Sequence, residues 1–150
     1  MAGNTTGARN DPAASYHFRL DVSALPDVAD FTECSGLEMQ VKFDEVREGG
    51  NNLFVHRLPT RVEYGNLVLK RGLVRRNEFF TWCASIVTQN KVKRQNVTVH
   101  LIDRATKSTL VSWTFLNAYP VKWSGPSFKA NSTEISIESL ELAHEGLQFQ

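Results

Sequence analysis

Apolar and polar residues alternate along much of this chain, in short runs separated by glycine, proline and asparagine. The first run starts at Tyr16, and its apolar face comprises Tyr16, Phe18, Leu20 and Val22. A period of two residues is typical of a β-strand with one buried face. Residues 38–46 repeat the pattern. We therefore expect a second strand there, whose inward-facing side chains are Met39, Val41 and Phe43.

Later segments follow the same period, two of them with a change of phase. Residues 62–70 change phase at Gly65, which predicts one strand with a β-bulge at that glycine. Residues 96–101 and 111–116 alternate without interruption. The last segment, 134–142, is expected to point Ile135 and Ile137 inward and then shift phase to Leu140 and Leu142.

One segment, residues 77–89, has helical spacing instead. Its apolar residues fall at positions i, i+1, i+3, i+4, i+7 and i+8, namely Phe79, Phe80, Trp82, Cys83, Ile86 and Val87. Such a stripe predicts an amphipathic helix that packs against a sheet, and Asn77 is suited to cap its N-terminus. The side chains expected to join the core are Phe79, Trp82, Cys83 and Ile86.

These elements predict a mostly β protein, an antiparallel β-barrel or sandwich of about six strands with one packed α-helix. We expect residues 1–15 to form a flexible N-terminal arm and residues 16–150 a single domain. One helix covers only part of the outer face of such a barrel. The polar strand faces that remain are expected to meet either bulk water or another copy of the chain.

The segment from Arg47 to Pro59 is too long for a tight hairpin turn. It contains the residues Gly49, Gly50, Asn51, Asn52, Leu53, Phe54 and Val55. The apolar run at 53–55 is unexpected in a loop that merely faces solvent. Two interpretations are possible: the apolar side chains fold back onto their own barrel, or they are buried by another copy.

Charge is balanced overall, with 17 basic and 16 acidic residues, so no long-range attraction to nucleic acid or anionic membranes is expected. Locally it is uneven, since basic residues cluster around the helix, at Arg75, Arg76, Lys91, Lys93 and Arg94. Acidic residues dominate the last segment, at Glu134, Glu138, Glu141 and Glu145. Both clusters can simply be solvated. Alternatively, the basic edge of one copy contacts the acidic edge of the next and closes a ring.

Motifs for catalysis, metal binding or phosphate binding do not occur in the sequence. The four histidines lack metal-ligand spacing, and the two cysteines form neither a C-x-x-C motif nor a disulfide framework. No apolar run is long enough for a membrane helix, and the N-terminus lacks the pattern of a signal peptide. We expect a protein without cofactor or metal that is made in a reducing cytoplasm and is not an enzyme.

Several segments, in this order, resemble the contractile-phage tail-tube protein family. Residues 33–52 read ECSGLEMQVKFDEVREGGNN, residues 66–72 read NLVLKRG and residues 79–86 read FFTWCASI. Residues 113–147, beginning WTFLNAYP, are similar to the C-terminal half of the family. The resemblance covers about residues 16–147.

This resemblance implies a barrel-like β-fold, hexameric rings and stacking of the rings into a hollow tube. It further implies a sheath protein outside the tube, a baseplate hub or tube initiator and a tail terminator at its ends, and a payload or DNA passing through the lumen. Rings would form in the cytoplasm of the producing cell and end in a virion tail or injection particle. The loop at 49–55 would bind the adjacent ring, and the charged clusters would join neighbours within a ring.

Two other functions are compatible with the sequence. A tube-initiator paralogue shares the fold, and it would form a hexamer that does not grow into a tube. A small ligand-binding barrel would instead be a closed monomer with an apolar cavity.

Overall fold

A computed structural model describes residues 16–23, 25–50, 52–72, 78–127, 130–131 and 136–150. The arm expected at 1–15 lies outside these residues. The first six strands are β1 (Tyr16–Val22), β2 (Leu25–Phe31), β3 (Glu33–Ser35), β4 (Met39–Val46), β5 (His56–Tyr64) and β6 (Leu67–Gly72). The helix and the last four strands are α1 (Glu78–Gln89), β7 (Gln95–Asp103), β8 (Thr109–Ser124), β9 (Ile137–Ala143) and β10 (Gly146–Phe149).

Eight of the strands form one antiparallel sheet in the order β2-β1-β7-β8-β9-β6-β3, with β10 beside β8. The two ends of this path, β2 and β3, are separated in sequence only by Thr32. The backbone N–H of Thr32 donates to the carbonyl of Lys70 at 3.0 Å. The sheet therefore curls around its interior, although no strand pairing joins β2 to β3. The expected class, mostly β with antiparallel strands and one helix, is confirmed.

The interior is filled by apolar side chains that come from both halves of the sheet. Those with the least exposure are Leu20, Leu67, Leu69, Val97, Val99, Phe115, Ala118, Leu140 and Leu142. Helix α1 packs against β8 and adds Phe79 and Trp82 to the same core. Full burial of each large apolar side chain stabilises the fold by about 1.5–3 kcal/mol.

The strands β4 and β5 form a separate two-stranded sheet, a hairpin joined by residues 47–55. The chain enters this hairpin after Gly36, which has φ +85° and lies against the backbone of Asn66. A side chain at Gly36 would be strained in that conformation and would meet this backbone. The chain leaves the hairpin at Gly65 and enters β6 at Leu67.

Three strand predictions are wrong. Met39, Val41 and Phe43 do not face the core, because β4 belongs to the hairpin. Residues 62–70 are not one bulged strand, since Gly65 and Asn66 separate β5 from β6 in different sheets. In β9 the inward positions are 138, 140 and 142 without a change of phase, whereas Ile135 lies outside the described residues. Ile137 therefore lies 51% exposed.

Candidate assembly surface

The two strands of the hairpin present one apolar face. Val41 lies opposite Val62, Phe43 opposite Pro59 and Met39 opposite Tyr64, with a bulge between the first two pairs. We call Met39, Val41, Phe43, Pro59 and Val62 the hairpin face. Met39 is 60% exposed, and Val41, Phe43 and Val62 are about half exposed. Contiguous exposed apolar patches of this kind are typical of surfaces that bind another molecule.

Charged residues on the hairpin pair with each other. Arg57 lies 3.5 Å from Glu45, and its guanidinium stacks 5.0 Å from the ring centroid of Phe43. Glu63 pairs with both Lys42, at 3.4 Å, and Arg61, at 2.9 Å. These charges are compensated within one subunit, so a partner could cover the apolar face without having to neutralise them.

The loop at the tip of the hairpin exposes its apolar run. Leu53 is 91% exposed, Phe54 58% and Val55 37%. The ring of Phe54 packs edge-on against His56, with 4.9 Å between centroids. Gly49, Gly50 and Asn52 lie in the same loop, and Gly50 has φ +96°. Asn51 lies outside the described residues. The exposure of this run argues against the interpretation that it folds back onto its own barrel.

The charged candidates have different surroundings. Lys91 and Lys93 are exposed after the end of α1. Arg94 pairs with Glu145 of the same subunit and stacks 5.5 Å from the ring centroid of Tyr119. Glu141 accepts a hydrogen bond of 2.7 Å from the Asn66 amide. Three further candidates lie outside the described part of the chain, namely Arg75, Arg76 and Glu134.

Glu138 is placed differently from the expectation. It is 7% exposed and pairs with Arg71, which is 5% exposed, inside its own subunit. This contradicts the expectation that Glu138 contacts a neighbouring copy. The inward position follows from the single period of β9. The burial of Arg71 is not evident from the sequence pattern either, because basic residues on strands are ordinarily exposed.

Helix α1 buries only part of its apolar stripe. Phe79 and Trp82 are buried, and the Trp82 indole N–H lies 3.4 Å from the carbonyl of Lys93. Cys83 and Ile86 are half-buried. Phe80 is 48% exposed and packs edge-on against Trp123, while Val87 is 85% exposed. The stripe is wider than the strip of sheet that it covers, so an open apolar groove remains between α1 and residues 120–123 of β8.

Reactive chemistry has little support in the described residues. Burial raises the pKa of Cys34 from 9.0 to about 11 and also raises the pKa of Cys83, which keeps both thiols protonated at neutral pH. Within the ranges that the structure describes, no cluster of three histidine, cysteine or carboxylate side chains could hold a metal ion. In those same ranges, no helix is long and apolar enough to cross a membrane.

The family model of the T4-like virus tail tube protein gp19 matches residues 14–148. The chain therefore belongs to this family, and it is a tail tube protein of the contractile-injection-system class. A search of curated proteins by sequence finds no match.

Solved structures show the same similarity. One is a chain of the PVC sheath–tube complex, an extracellular contractile injection system in the extended state, with a TM-score of 0.83 and 26% identity over 100% of this chain and 99% of that one. Another, from the tube-terminating cap of the anti-feeding prophage, has a TM-score of 0.79 and 28% identity over 93% and 91%. Hcp1 from Flavobacterium johnsoniae shares the fold, with a TM-score of 0.55 and 19% identity over 89% and 94%.

Proposed function

We propose that copies of this protein form hexameric rings that stack into the inner tube of a contractile tail or injection system. In this tube the hairpin face of each subunit is covered by a neighbouring copy. The observation that carries the proposal is the exposure of this face on a subunit whose own core is already filled.

Covering the hairpin face offers a large gain. Each large apolar side chain that becomes fully buried contributes about 1.5–3 kcal/mol, as an upper bound because these side chains are already partly covered. A closed ring repeats the contact at every subunit, since symmetry places the same surface at each interface. A filled interior, in the part of the chain that the structure describes, also argues against a ligand-binding barrel.

The tip of the hairpin is proposed to bind the adjacent ring. The loop of residues 49–55 carries the most exposed apolar side chain of the described chain, Leu53, together with Phe54 and Val55. A loop that protrudes from the barrel and is apolar at its end is suited to a groove on another copy. Stacking would then bury the loop once per subunit.

Charge is proposed to guide the contacts within a ring. The exposed Lys91 and Lys93 remain available to a neighbour, whereas Arg94 is engaged by Glu145 in its own subunit. Among the acidic residues expected to contact a neighbour, Glu138 is buried in its own subunit, and Glu141 is the other one that the structure describes. From the sequence alone we add Arg75, Arg76 and Glu134. Exposed pairs are worth about 0–1 kcal/mol each, so they would affect the rate and register of association more than its strength.

The assembled tube is proposed to act as a conduit and to catalyse nothing. A sheath protein would surround it, a baseplate hub or tube initiator and a tail terminator would bind its ends, and payload or DNA would pass through the lumen without sequence-specific binding. Support comes from the complexes that contain its structural relatives, described as a sheath–tube complex, a baseplate and a tube-terminating cap. Assembly would take place in the cytoplasm of the producing cell.

The test compares two substitutions on neighbouring positions of β4. Val41→Asp places a charge on the hairpin face, and Gln40→Asp places the same charge on the opposite face. Val41→Asp is expected to leave the circular dichroism and melting of the dilute subunit unchanged but to abolish rings and tubes in negative-stain micrographs. Gln40→Asp is expected to assemble. Wild-type protein that stays monomeric at millimolar concentration would overturn the proposal, and hexamers that never elongate would indicate a tube initiator.

A further inference from the structure

The imidazole of His144 bridges two backbone carbonyls. His144 lies between β9 and β10, with Nδ1 at 3.1 Å from the carbonyl oxygen of Gly146 and Nε2 at 2.9 Å from that of Gly65. Gly146 begins β10 in the main sheet, whereas Gly65 is the residue at which the chain leaves the hairpin. One side chain thus connects the hairpin base to the C-terminal strand.

Both partners of this ring are acceptors. A carbonyl oxygen can only accept, and a neutral imidazole carries a single N–H, so the neutral ring can satisfy only one of the two carbonyls. Its other nitrogen would then direct a lone pair at an oxygen. The imidazolium carries an N–H on both nitrogens and satisfies both carbonyls at once. The observed geometry therefore fits the charged form of His144.

The ring is held in place by aromatic neighbours from both units. Its centroid lies 4.9 Å from that of Phe115 in β8 and 5.3 Å from that of Tyr64 at the end of β5. Within the hairpin base itself, the backbone N–H of Gly65 donates to the carbonyl oxygen of Glu38 at 3.3 Å. The ionisable groups around this site are Tyr64, Glu38 beside Gly65, Glu141 bonded to Asn66, and Glu145 bonded to Arg94 and Asn117.

We propose that protonation of His144 locks the base of the hairpin to the main sheet and so determines how the hairpin face is presented. This inference rests on the proposed function, because presentation matters only if another copy binds that face. The second hydrogen bond exists only while both ring nitrogens carry a proton, and it is lost when one of them gives its proton up. A hydrogen bond from a charged donor is worth a factor of about ten or more in an equilibrium constant. Acidic solution should therefore favour assembly, because it favours the doubly protonated form of an imidazole.

The first experiment uses wild-type protein, diluted until it is monomeric. Nitrogen-15 NMR of the histidine rings, recorded from about pH 5 to pH 8, is expected to show protons on both ring nitrogens of His144 at the acid end. The methyl signals of Met39 and Val62 on the hairpin are expected to shift with the same midpoint. Methyl signals that do not follow the His144 titration, or a ring nitrogen that is unprotonated throughout, would overturn the proposal.

The second experiment measures assembly by light scattering at about pH 6 and pH 8. Wild-type protein and the control His17→Gln are expected to assemble several-fold faster at the lower pH, and His144→Gln is expected to lose this difference because glutamine does not titrate. A His144→Gln protein with the wild-type pH dependence would contradict the inference. Failure of wild-type protein to assemble at any pH would instead refute the proposed function, and the NMR experiment would still decide the role of His144.

Discussion

The side chains of Arg71 and Glu138 form an ion pair between β6 and β9, in which only 6% and 9% of their surfaces remain exposed. The two residues are direct register partners. The guanidinium of Arg71 also stacks 4.2 Å from the ring centroid of Phe79 and 5.9 Å from that of Phe31. The pair therefore connects the first turn of α1 to two strands of the main sheet.

Removing one charge of this pair should destabilise the subunit. Glu138→Gln removes the carboxylate that pairs with the buried guanidinium of Arg71, and the loss of one member of a buried ion pair costs about 3–5 kcal/mol. Glu141→Gln, a control on the same strand, removes a half-exposed carboxylate and should cost less than about 1 kcal/mol. Urea unfolding of the dilute subunit measures both. A Glu138→Gln subunit that unfolds like wild type but does not assemble would assign Glu138 to an interface after all.

The helix provides a second pair of substitutions with opposite outcomes. Trp82→Ala removes a buried indole and is expected to lower the free energy of unfolding by about 3–5 kcal/mol. Val87→Ala, on the exposed side of the same helix, should change it by less than about 0.5 kcal/mol. Thermal unfolding followed by circular dichroism tests the difference. If Trp82→Ala melts like wild type and loses assembly, the indole acts at an interface rather than in the core.

The loop at the hairpin tip is the third test. Phe54→Asp is expected to leave the melting temperature of the subunit unchanged, since its ring is more than half exposed, and to prevent the growth of long tubes. A short Gly-Ser linker in place of residues 51–55 should have the same effect. The control Asn52→Asp introduces the same charge two positions away and should still elongate.

Circular dichroism and electron microscopy of the same samples separate the outcomes of the loop experiment. Folded Phe54→Asp subunits that form single rings would place the loop between rings. Long tubes from Phe54→Asp would show that Phe54 is not needed for stacking, and a lowered melting temperature with unchanged tubes would assign the loop to the stability of its own subunit.

Local periodicity predicted most of the elements but not how they associate. The alternation at Met39, Val41 and Phe43 correctly predicts an apolar face, but this face does not belong to the core. The pattern records that these side chains avoid water, whereas a core and an interface between copies produce the same pattern. The opposite error occurs at Glu138. The sequence predicts an exposed side chain because the residue is acidic, but the side chain is buried, and its partner Arg71 is distant along the chain.

The sequence by itself determined the antiparallel β class, the position of α1 and the family to which the chain belongs, because all of these depend on local spacing and on the order of segments. Only the tertiary structure decided that β4 and β5 leave the main sheet, that Gly65 separates two strands, and that His144 contacts both units. These features depend on pairing between segments that are far apart in sequence. The free energy of such pairing depends on all the strands and side chains that surround each segment in the fold, and the sequence of one segment does not specify these.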